Sequence, residues 1–192
     1  MSFMLIWAPQ LWPRTAEQWY TNYEMHFWER GPLVAGFWEF PKGAASGEWF
    51  LDADAGPVTA GYGTAASAFG LGAARANGRF DHAYPLAAQA LVASWPLLDG
   101  TLLGPRMLSN LSHAPYVGEA ALLFNFTRQP LAAASVTHGG TVPFIVYLGI
   151  FVYLGIGLLS IGSALYSLTT WHKRLSKRRI PWRRLQLSIW LS

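Results

Sequence analysis

The sequence predicts a mainly α-helical protein, with a small helical extramembrane domain that has long loops and one C-terminal transmembrane helix. Three observations predict this fold class. The 192 residues suit one domain plus a membrane anchor. Charged residues make up only 12% of the chain, about half of their usual share. No Asp, Glu, Lys or Arg occurs between Gln129 and His172, and Lys and Arg are then concentrated at the end of the chain.

The stretch Val142–Leu168 carries the transmembrane prediction, because its 27 residues include no charge. At about 1.5 Å per residue, a helix of this length exceeds the roughly 30 Å hydrocarbon core of a bilayer. Pro143 suits the first turn of a helix, and Tyr147 and Trp171 suit the membrane interfaces. We expect the helix to cover residues 142–171. Without an ionisable group at membrane depth it cannot relay protons, and the sequence predicts no cofactor.

Small residues recur along this predicted helix. In lipid, small residues let two helix backbones approach closely, so packing between helices replaces the hydrophobic driving force. We therefore predict a face that docks on another membrane helix, although ordinary transmembrane composition gives a similar pattern. The predicted docking residues are Gly149, Gly155, Ser160, Ser163, Ala164 and Ser167.

The segment after the helix, residues 172–192, is strongly basic. It carries a charge of +7, against −3 for residues 1–171. The positive-inside rule places this tail in the cytoplasm, and its bases favour anionic lipid headgroups. The pattern after Pro181 predicts a short amphipathic interfacial helix. A basic run also suggests nucleic-acid binding, but its position beside a membrane span argues against that function. The predicted headgroup-binding residues are Lys173, Arg174, Lys177, Arg178, Arg179, Arg183 and Arg184.

The extramembrane domain is predicted over residues 15–128, between an apolar segment, 1–14, and a linker, 129–141. The apolar segment has no basic residue before Arg14, so it does not resemble a signal peptide. The basic tail nevertheless places the domain outside the cytoplasm. We therefore expect a single-pass protein of the cell (inner) membrane with an extracytoplasmic, periplasmic domain.

Four helices are predicted within this domain. A capping box at Thr15-Ala16-Glu17-Gln18 predicts the start of the first, with an apolar stripe of Trp19, Tyr23 and Phe27. The second is rich in Gly and Ala and stops at Asn77-Gly78. Asp81 is expected to cap the third, and Pro115 to open the fourth. The predicted ranges are 15–30, 59–77, 81–94 and 115–126, with short strands or loops over 32–58 and a loop over 95–114.

The loop Asp52-Ala53-Asp54-Ala55-Gly56-Pro57 is the most distinctive motif. It lacks the glutamate and glycine spacing of a calcium loop, and no Gly-Lys-Ser/Thr follows it as in a phosphate loop. Gly61-x-Gly63-x-x-Ala66 with Asp81 matches the spacing of a dinucleotide fingerprint. The sequence shows no preceding strand and no βαβ alternation, so we do not expect that site.

The chain has no cysteine, which excludes a cysteine nucleophile, a thiolate metal site and an iron–sulfur cluster. Glycoside chemistry would need two carboxylates. Glu39, Asp52 and Asp54 are the candidate catalytic acids, with Glu29 as a further acid and His26 or His113 as proton carriers. The alternative is that Asp52 and Asp54 accept backbone hydrogen bonds in a turn, while Glu29 and Glu39 lie on a solvated face. No metal-ligand spacing is present.

Trp38-Glu39-Phe40-Pro41, the Asp52/Asp54-Gly-Pro turn and the helix ending Ala73-Ala74-Arg75-Ala76-Asn77-Gly78 resemble the helix-pair units of (α/α)-toroid proteins. That group includes many sugar-active enzymes and linalool dehydratase-like proteins. The resemblance covers roughly residues 15–127. It implies a truncated toroid, because a full toroid has about twelve helices and this chain has room for four or five.

Two functions follow from these features. The first is a non-catalytic accessory or scaffold subunit that stabilises a larger integral membrane complex, such as a bioenergetic or light-harvesting one. Few acids, abundant aromatic residues and the docking helix favour it. The second is a membrane-anchored enzyme of toroid type, acting on a sugar or small lipid-like substrate. It requires a cleft that gathers Glu39, Asp52 and Asp54.

Overall fold

The computed structural model describes residues 1–44, 49–52, 56–111, 113–131 and 134–177. In these residues the chain is mainly helical, with seven helices and five short strands. The helices are α1 (Ser2–Leu11), α2 (Pro13–Phe27), α3 (Thr64–Ala76), α4 (Phe80–Ala93), α5 (Leu103–Leu111), α6 (Val117–Phe126) and α7 (Phe144–Lys177). The strands are β1 (Trp28–Arg30), β2 (Ala35–Phe37), β3 (Trp49–Asp52), β4 (Gly56–Thr59) and β5 (Tyr62–Gly63).

Two compact units divide the chain, Met1–Gly149 and Ile150–Ser192. In the first unit, consecutive helices pack in pairs: α1 on α2, α3 on α4 and α5 on α6. Helix α3 lies at the centre, because it also packs against α1 and α6. The core includes Ile6, Tyr20, Phe37 and Leu71, each at most 2% exposed.

Helix α1 forms although the sequence analysis assigned no helix to this segment. Pro9 lies inside it, and proline has no N–H to donate to the carbonyl of Leu5. The side chain of Asn77 supplies the missing donor, with its Nδ2 2.9 Å from the Leu5 oxygen. A residue 72 positions away along the sequence therefore satisfies the backbone of α1.

Helix α2 begins at Pro13, two residues earlier than predicted. Thr15 therefore lies inside the first turn, where its hydroxyl donates to the carbonyl of Trp12 at 3.2 Å. The capping-box prediction is wrong, because Pro13 opens the helix with its fixed φ. The buried face is also rotated from the predicted stripe: Ala16, Tyr20 and Tyr23 are buried, and Trp19 is exposed.

The chain between α2 and α3 forms two small antiparallel sheets, in agreement with the short strands predicted there. Strands β1 and β2 pair from Trp28↔Phe37 to Arg30↔Ala35. Strand β4 pairs with both β3 and β5. A bridge between Trp38 and Tyr62 joins the end of β2 to β5. Strand β4 thus precedes the Gly61–Gly63 turn, contrary to the expectation, but its antiparallel pairing is not a βαβ unit.

The small residues of α3 allow the close packing predicted from them. Ala73 and Ala74 are fully buried, and a Cβ at Gly70 would overlap the ring of Phe37. Helix α3 ends at Ala76, and Gly78 adopts a φ of +72°, which glycine tolerates best. The predicted stop at Asn77-Gly78 is therefore confirmed.

Two predictions between residues 81 and 114 are wrong. Asp81 lies in the first turn of α4 rather than at its cap, because Arg79 occupies the cap position. Residues 95–114 are not only loop, because α5 forms within them. The Pro and Gly content concealed this helix, because Gly104 and Pro105 lie in its first turn, where proline is tolerated.

Helix α7 confirms the long apolar C-terminal helix. Within the described residues, its segment Phe144–His172 is long and apolar enough to span a membrane. Pro143 was predicted to lie in the first turn of this helix. The helix instead begins at Phe144, so Pro143 directly precedes it. Its first turn is tied to the β1–β2 turn, since Ile145 donates its N–H to the carbonyl of Leu33 at 3.0 Å.

Candidate functional site

The three predicted catalytic acids are only partly described. Glu39 follows β2, Asp52 ends β3, and Asp54 lies outside the described residues, as does the side chain of Asp52. The backbone of Asp52 pairs with Gly56 at one end of the β3–β4 hairpin. Because β4 separates β3 from β5, two strand spacings, or about 10 Å, lie between β3 and the strand that follows Gly61, the hydrogen-bond partner of Glu39. The proposed grouping of the three acids stays a prediction.

Glu39 is held at the start of α3. Its N–H donates to the carbonyl of Gly61 at 3.1 Å, and its Oε2 occupies the space that a Cβ on Gly63 would take. Gly63 is the N-cap residue of α3, so the carboxylate lies at the positive end of the helix dipole. This position gives Glu39 a structural role at the start of α3 beside any chemical one.

Glu39 also lines a cavity of about 210 Å³. Its other walls are mainly aromatic and include Trp38, Phe69 and Tyr23, with the hydroxyl of Ser2 as a further polar group. Burial raises the pKa of Tyr23, a hydrogen bond with Ser2 lowers it, and the negative charge of Glu39 raises it again, with a net rise. The Tyr23 hydroxyl therefore stays protonated and serves as a hydrogen-bond donor, not as a base.

A larger cavity of about 610 Å³ lies between α1 and α2. It is within the size range of small-molecule sites, and its lining is predominantly apolar. Asn22 and His26 contribute polar groups, but Glu39 does not line this cavity, so the role of His26 as a proton carrier for the acids stays a prediction. Tyr23 and Phe27 border both cavities, whereas His113 borders neither. The apolar lining includes Met4, Leu5, Ala8, Trp12 and Trp19.

Glu29, the further candidate acid, is not part of either cavity. Its Oε2 forms an ion pair with Lys42 Nζ at 2.9 Å. Both side chains are more than a third exposed, so the pair contributes little to stability. This arrangement agrees with the solvated-face interpretation of Glu29.

A partly buried polar cluster, not predicted from the sequence, links α2 to α4. Its members are Tyr20, Glu24, Arg79, Asp81 and His82. The guanidinium of Arg79 contacts the Glu24 carboxylate and donates to both Asp81 oxygens, at 3.0 and 2.9 Å. None of the five residues lines either cavity. Arg79 and Asp81 are close in sequence, but their partners on α2 are about sixty residues away.

His82 has one defined tautomer in this cluster. Arg79 Nη2 lies 3.2 Å from His82 Nε2, and an arginine can only donate, so Nε2 must be the acceptor. The proton therefore resides on Nδ1, which donates to the Tyr20 hydroxyl oxygen at 3.0 Å. Trp28 stacks on the imidazole with ring centroids 4.2 Å apart.

The ionisation of the cluster follows from its burial. Burial lowers the pKa of His82 to about 4, although the charge of Asp81 opposes the shift. Burial also raises the pKa of Tyr20, so both groups are neutral at physiological pH. Burial lowers the pKa of Arg79, but its hydrogen bonds to Asp81 and Glu24 outweigh that effect and raise it overall. Arg79 and its carboxylate partners Glu24 and Asp81 therefore join α2 to α4, and we call this arrangement the Arg79 clamp.

The predicted docking residues of α7 have two kinds of environment. A Cβ on Gly149 would overlap Val92 of α4, so this glycine serves packing within the chain. Apart from its own stretch of helix backbone, no described atom lies within 4 Å of the Cβ position of Gly155. The remaining predicted docking residues, Ser160, Ser163, Ala164 and Ser167, are exposed.

The predicted headgroup-binding residues belong to the end of α7 and the tail beyond it. Lys173, Arg174 and Lys177 lie in the helix, but their side chains are outside the described part of the chain. Arg178, Arg179, Arg183 and Arg184 lie outside it entirely, as does the predicted amphipathic helix after Pro181.

The described residues contain no group of three His, Asp or Glu side chains that could hold a metal ion. Comparison of the chain with protein-family models, curated proteins and solved structures found no match.

Proposed function

We propose that this chain is a non-catalytic, single-pass accessory subunit that stabilises a larger integral membrane complex. The apolar helix Phe144–His172 carries the proposal, because its small-residue face is open. Ser160, Ser163, Ala164 and Ser167 are all exposed. Helices associate in lipid through such small residues, so an open small face suits a neighbouring membrane helix.

Helical periodicity supports the same face. Ser160 and Ser167 are seven residues apart, and Gly149 lies eleven residues before Ser160, so all three lie on one side of α7. Gly149 already packs closely against Val92. The same side of the helix thus permits close approach within the chain, and we propose that it continues as the docking surface for a partner helix.

The extramembrane domain adds a second contact surface. Met4, Trp12 and Trp19 border the larger cavity, and each exposes more than 40% of its surface. A contiguous exposed apolar patch of this kind marks an interaction site, and Trp and Met are favoured there. We propose that a neighbouring subunit covers this patch.

The proposed orientation follows from charge. The tail 172–192 carries +7 and would lie on the cytoplasmic side of the inner membrane, where it binds anionic headgroups. The domain would then be extracytoplasmic. Protease accessibility of tags at the two ends of the chain, in sealed right-side-out vesicles, tests this orientation.

Extraction of native membranes with a mild detergent, followed by size separation and mass spectrometry, tests the accessory function. Co-migration in fixed proportion with large integral membrane proteins is the expected result. Migration at the size of a lone chain or dimer in a micelle would refute it.

A paired substitution locates the interface. Ser160→Leu with Ser167→Leu adds bulk to the small face and should release the chain from its complex. Leu158→Phe with Leu165→Phe adds bulk on the opposite face with the same spacing, and should leave the complex intact. Equal behaviour of the two double variants would exclude the small face as the interface.

A membrane-anchored enzyme of (α/α)-toroid type is the second candidate. Two cavities support it. The side chain of Glu39 lines the smaller one, and the larger, mainly apolar cavity shares Tyr23 and Phe27 with it. This arrangement suits a sugar or a small lipid-like substrate. Incubation of the purified protein with sugar and lipid extracts should then yield a new product by mass spectrometry, and Glu39→Gln should abolish it. Equal product from the variant would exclude Glu39 as a catalytic acid.

A further inference from the structure

A third cavity, of about 250 Å³, lies where the β1–β2 turn meets the start of α7. Arg30, Thr141 and Tyr147 are its polar lining. Its walls are rigid, because Pro32 and Pro143 have fixed φ angles. The Ile145–Leu33 hydrogen bond and a second bond from Gly31 N–H to the Val34 carbonyl, at 2.9 Å, hold the two sides together.

The charge of this cavity is positive. Arg30 is exposed, and no ion pair within 4.0 Å joins it to a carboxylate of the described residues. Its neighbour Glu29 is already paired with Lys42. The cavity therefore presents one uncompensated guanidinium beside two hydroxyl groups, a combination that suits a phosphate oxygen.

The position of the cavity identifies the source of that phosphate. Tyr147 lies in the first turn of the segment Phe144–His172, so the cavity is at the domain end of the apolar span. Leu33, Phe144 and Tyr147 each expose at least half of their surface around it. An arginine among exposed apolar and aromatic side chains at the end of a span lies at the depth of lipid headgroups.

We propose that this cavity binds the phosphate group of a membrane phospholipid in the leaflet on the domain side. The inference rests on the membrane anchorage in the proposed function, but not on the accessory role. It adds a second headgroup contact, at the end of the span opposite the basic tail. Arg30 binds the phosphate, and Thr141 and Tyr147 donate further hydrogen bonds.

The test uses the full chain in phosphatidylcholine vesicles that contain a phosphatidylglycerol analogue with a photoreactive headgroup. Mass spectrometry of the crosslinked peptides separates this cavity from the basic tail. We expect crosslinks on residues 31–33 and 141–147, and about tenfold less of them in Arg30→Gln. Thr141→Val should give a smaller loss. Arg14→Gln, which removes an exposed charge from α2, should leave them unchanged.

Three outcomes overturn the proposal: crosslinks confined to the tail, equal yield from Arg30→Gln, or loss of the cavity crosslinks in excess inorganic phosphate. The last outcome would assign the cavity to free phosphate rather than lipid. Release of the wild-type chain from vesicles by alkaline carbonate would instead refute the membrane anchorage, so the two failures are distinguishable.

Discussion

At the scale of single residues, the clearest chemical consequence lies in His82. Its neutral imidazole accepts from Arg79, which requires the tautomer protonated on Nδ1, and that tautomer donates to the Tyr20 hydroxyl. A second proton on Nε2 would place two cations 3.2 Å apart among buried rings. The groups that face His82 are Tyr20 and Glu24 on α2 and Arg79 and Asp81 at the start of α4. Burial and the charge of Arg79 favour the neutral imidazole and outweigh the opposing charge of Asp81.

We predict that the domain loses stability in mild acid through His82. Its pKa is about 4 in the fold and about 6.5 unfolded, so the unfolded state binds the proton first. The stability is complete above about pH 6.5 and falls by up to about 3 kcal/mol as the pH approaches 4. Urea unfolding followed by tryptophan fluorescence, between about pH 7.5 and about pH 4.5, measures the loss. His82→Gln should remove most of this pH dependence, and an unchanged slope would contradict the assignment.

At the scale of secondary-structure elements, the Arg79 clamp joins α2 to α4. Arg79 is the N-cap residue of α4. One edge of its planar guanidinium contacts Asp81, and the other contacts Glu24. A lysine has the same charge but cannot form this fork. The helix pair therefore depends on the shape of the side chain as well as on its charge.

Arg79→Lys should consequently destabilise the domain by about 1–3 kcal/mol, because the partly buried carboxylates of Glu24 and Asp81 lose hydrogen bonds. Arg106→Lys is the matched control. Arg106 is half-exposed and lies 3.8 Å from Glu119, so its replacement should be nearly neutral. Thermal unfolding monitored by circular dichroism compares the two, and equal melting temperatures would argue against the clamp.

Helix α3 depends on residues without side chains at its contact with β2. Gly70→Ala should improve helix propensity by about 1 kcal/mol. We nevertheless expect a net loss of about 1–3 kcal/mol, because the new Cβ overlaps the buried Phe37 ring. Ala68→Gly, at an exposed position of the same helix, should cost only about 1 kcal/mol. A stabilised Gly70→Ala variant in urea unfolding would show that this contact is loose.

At the scale of the whole molecule, one helix among the described residues is long and apolar enough to span a membrane. The segment Phe144–His172 has 29 residues, and its large apolar side chains are exposed along nearly its entire length. In water such a surface would drive aggregation, whereas in a bilayer it is solvated by lipid. The domain, by contrast, has its own buried core.

Leu158→Arg, at the centre of this segment, should prevent stable insertion, because an arginine at the middle of a span costs about 2.5–3.5 kcal/mol. The wild-type chain should resist extraction from membranes by alkaline carbonate, and the variant should be released. Leu51→Arg adds the same charge to an exposed position of β3 and should remain in the membrane. A retained Leu158→Arg variant would contradict the span.

The sequence alone determined the mainly helical class, the apolar span and the tightly packed helix α3, because each depends on local composition or periodicity. Val142–Leu168 needs no tertiary contact to be recognised, and neither does the Gly and Ala content of α3 with its stop at Gly78. Such features depend only on residues that are neighbours along the chain and on the solvent around them.

Only the tertiary structure decided the features that join distant residues. Helix α1 tolerates Pro9 because Asn77 supplies the missing donor, and the His82 environment needs Tyr20 and Glu24 from another helix. Glu39 was recognisable as an acid, but its place on a cavity at the start of α3 required the β2–β5 bridge. Local pattern cannot predict these contacts, because burial and partner choice arise only when separate elements pack together.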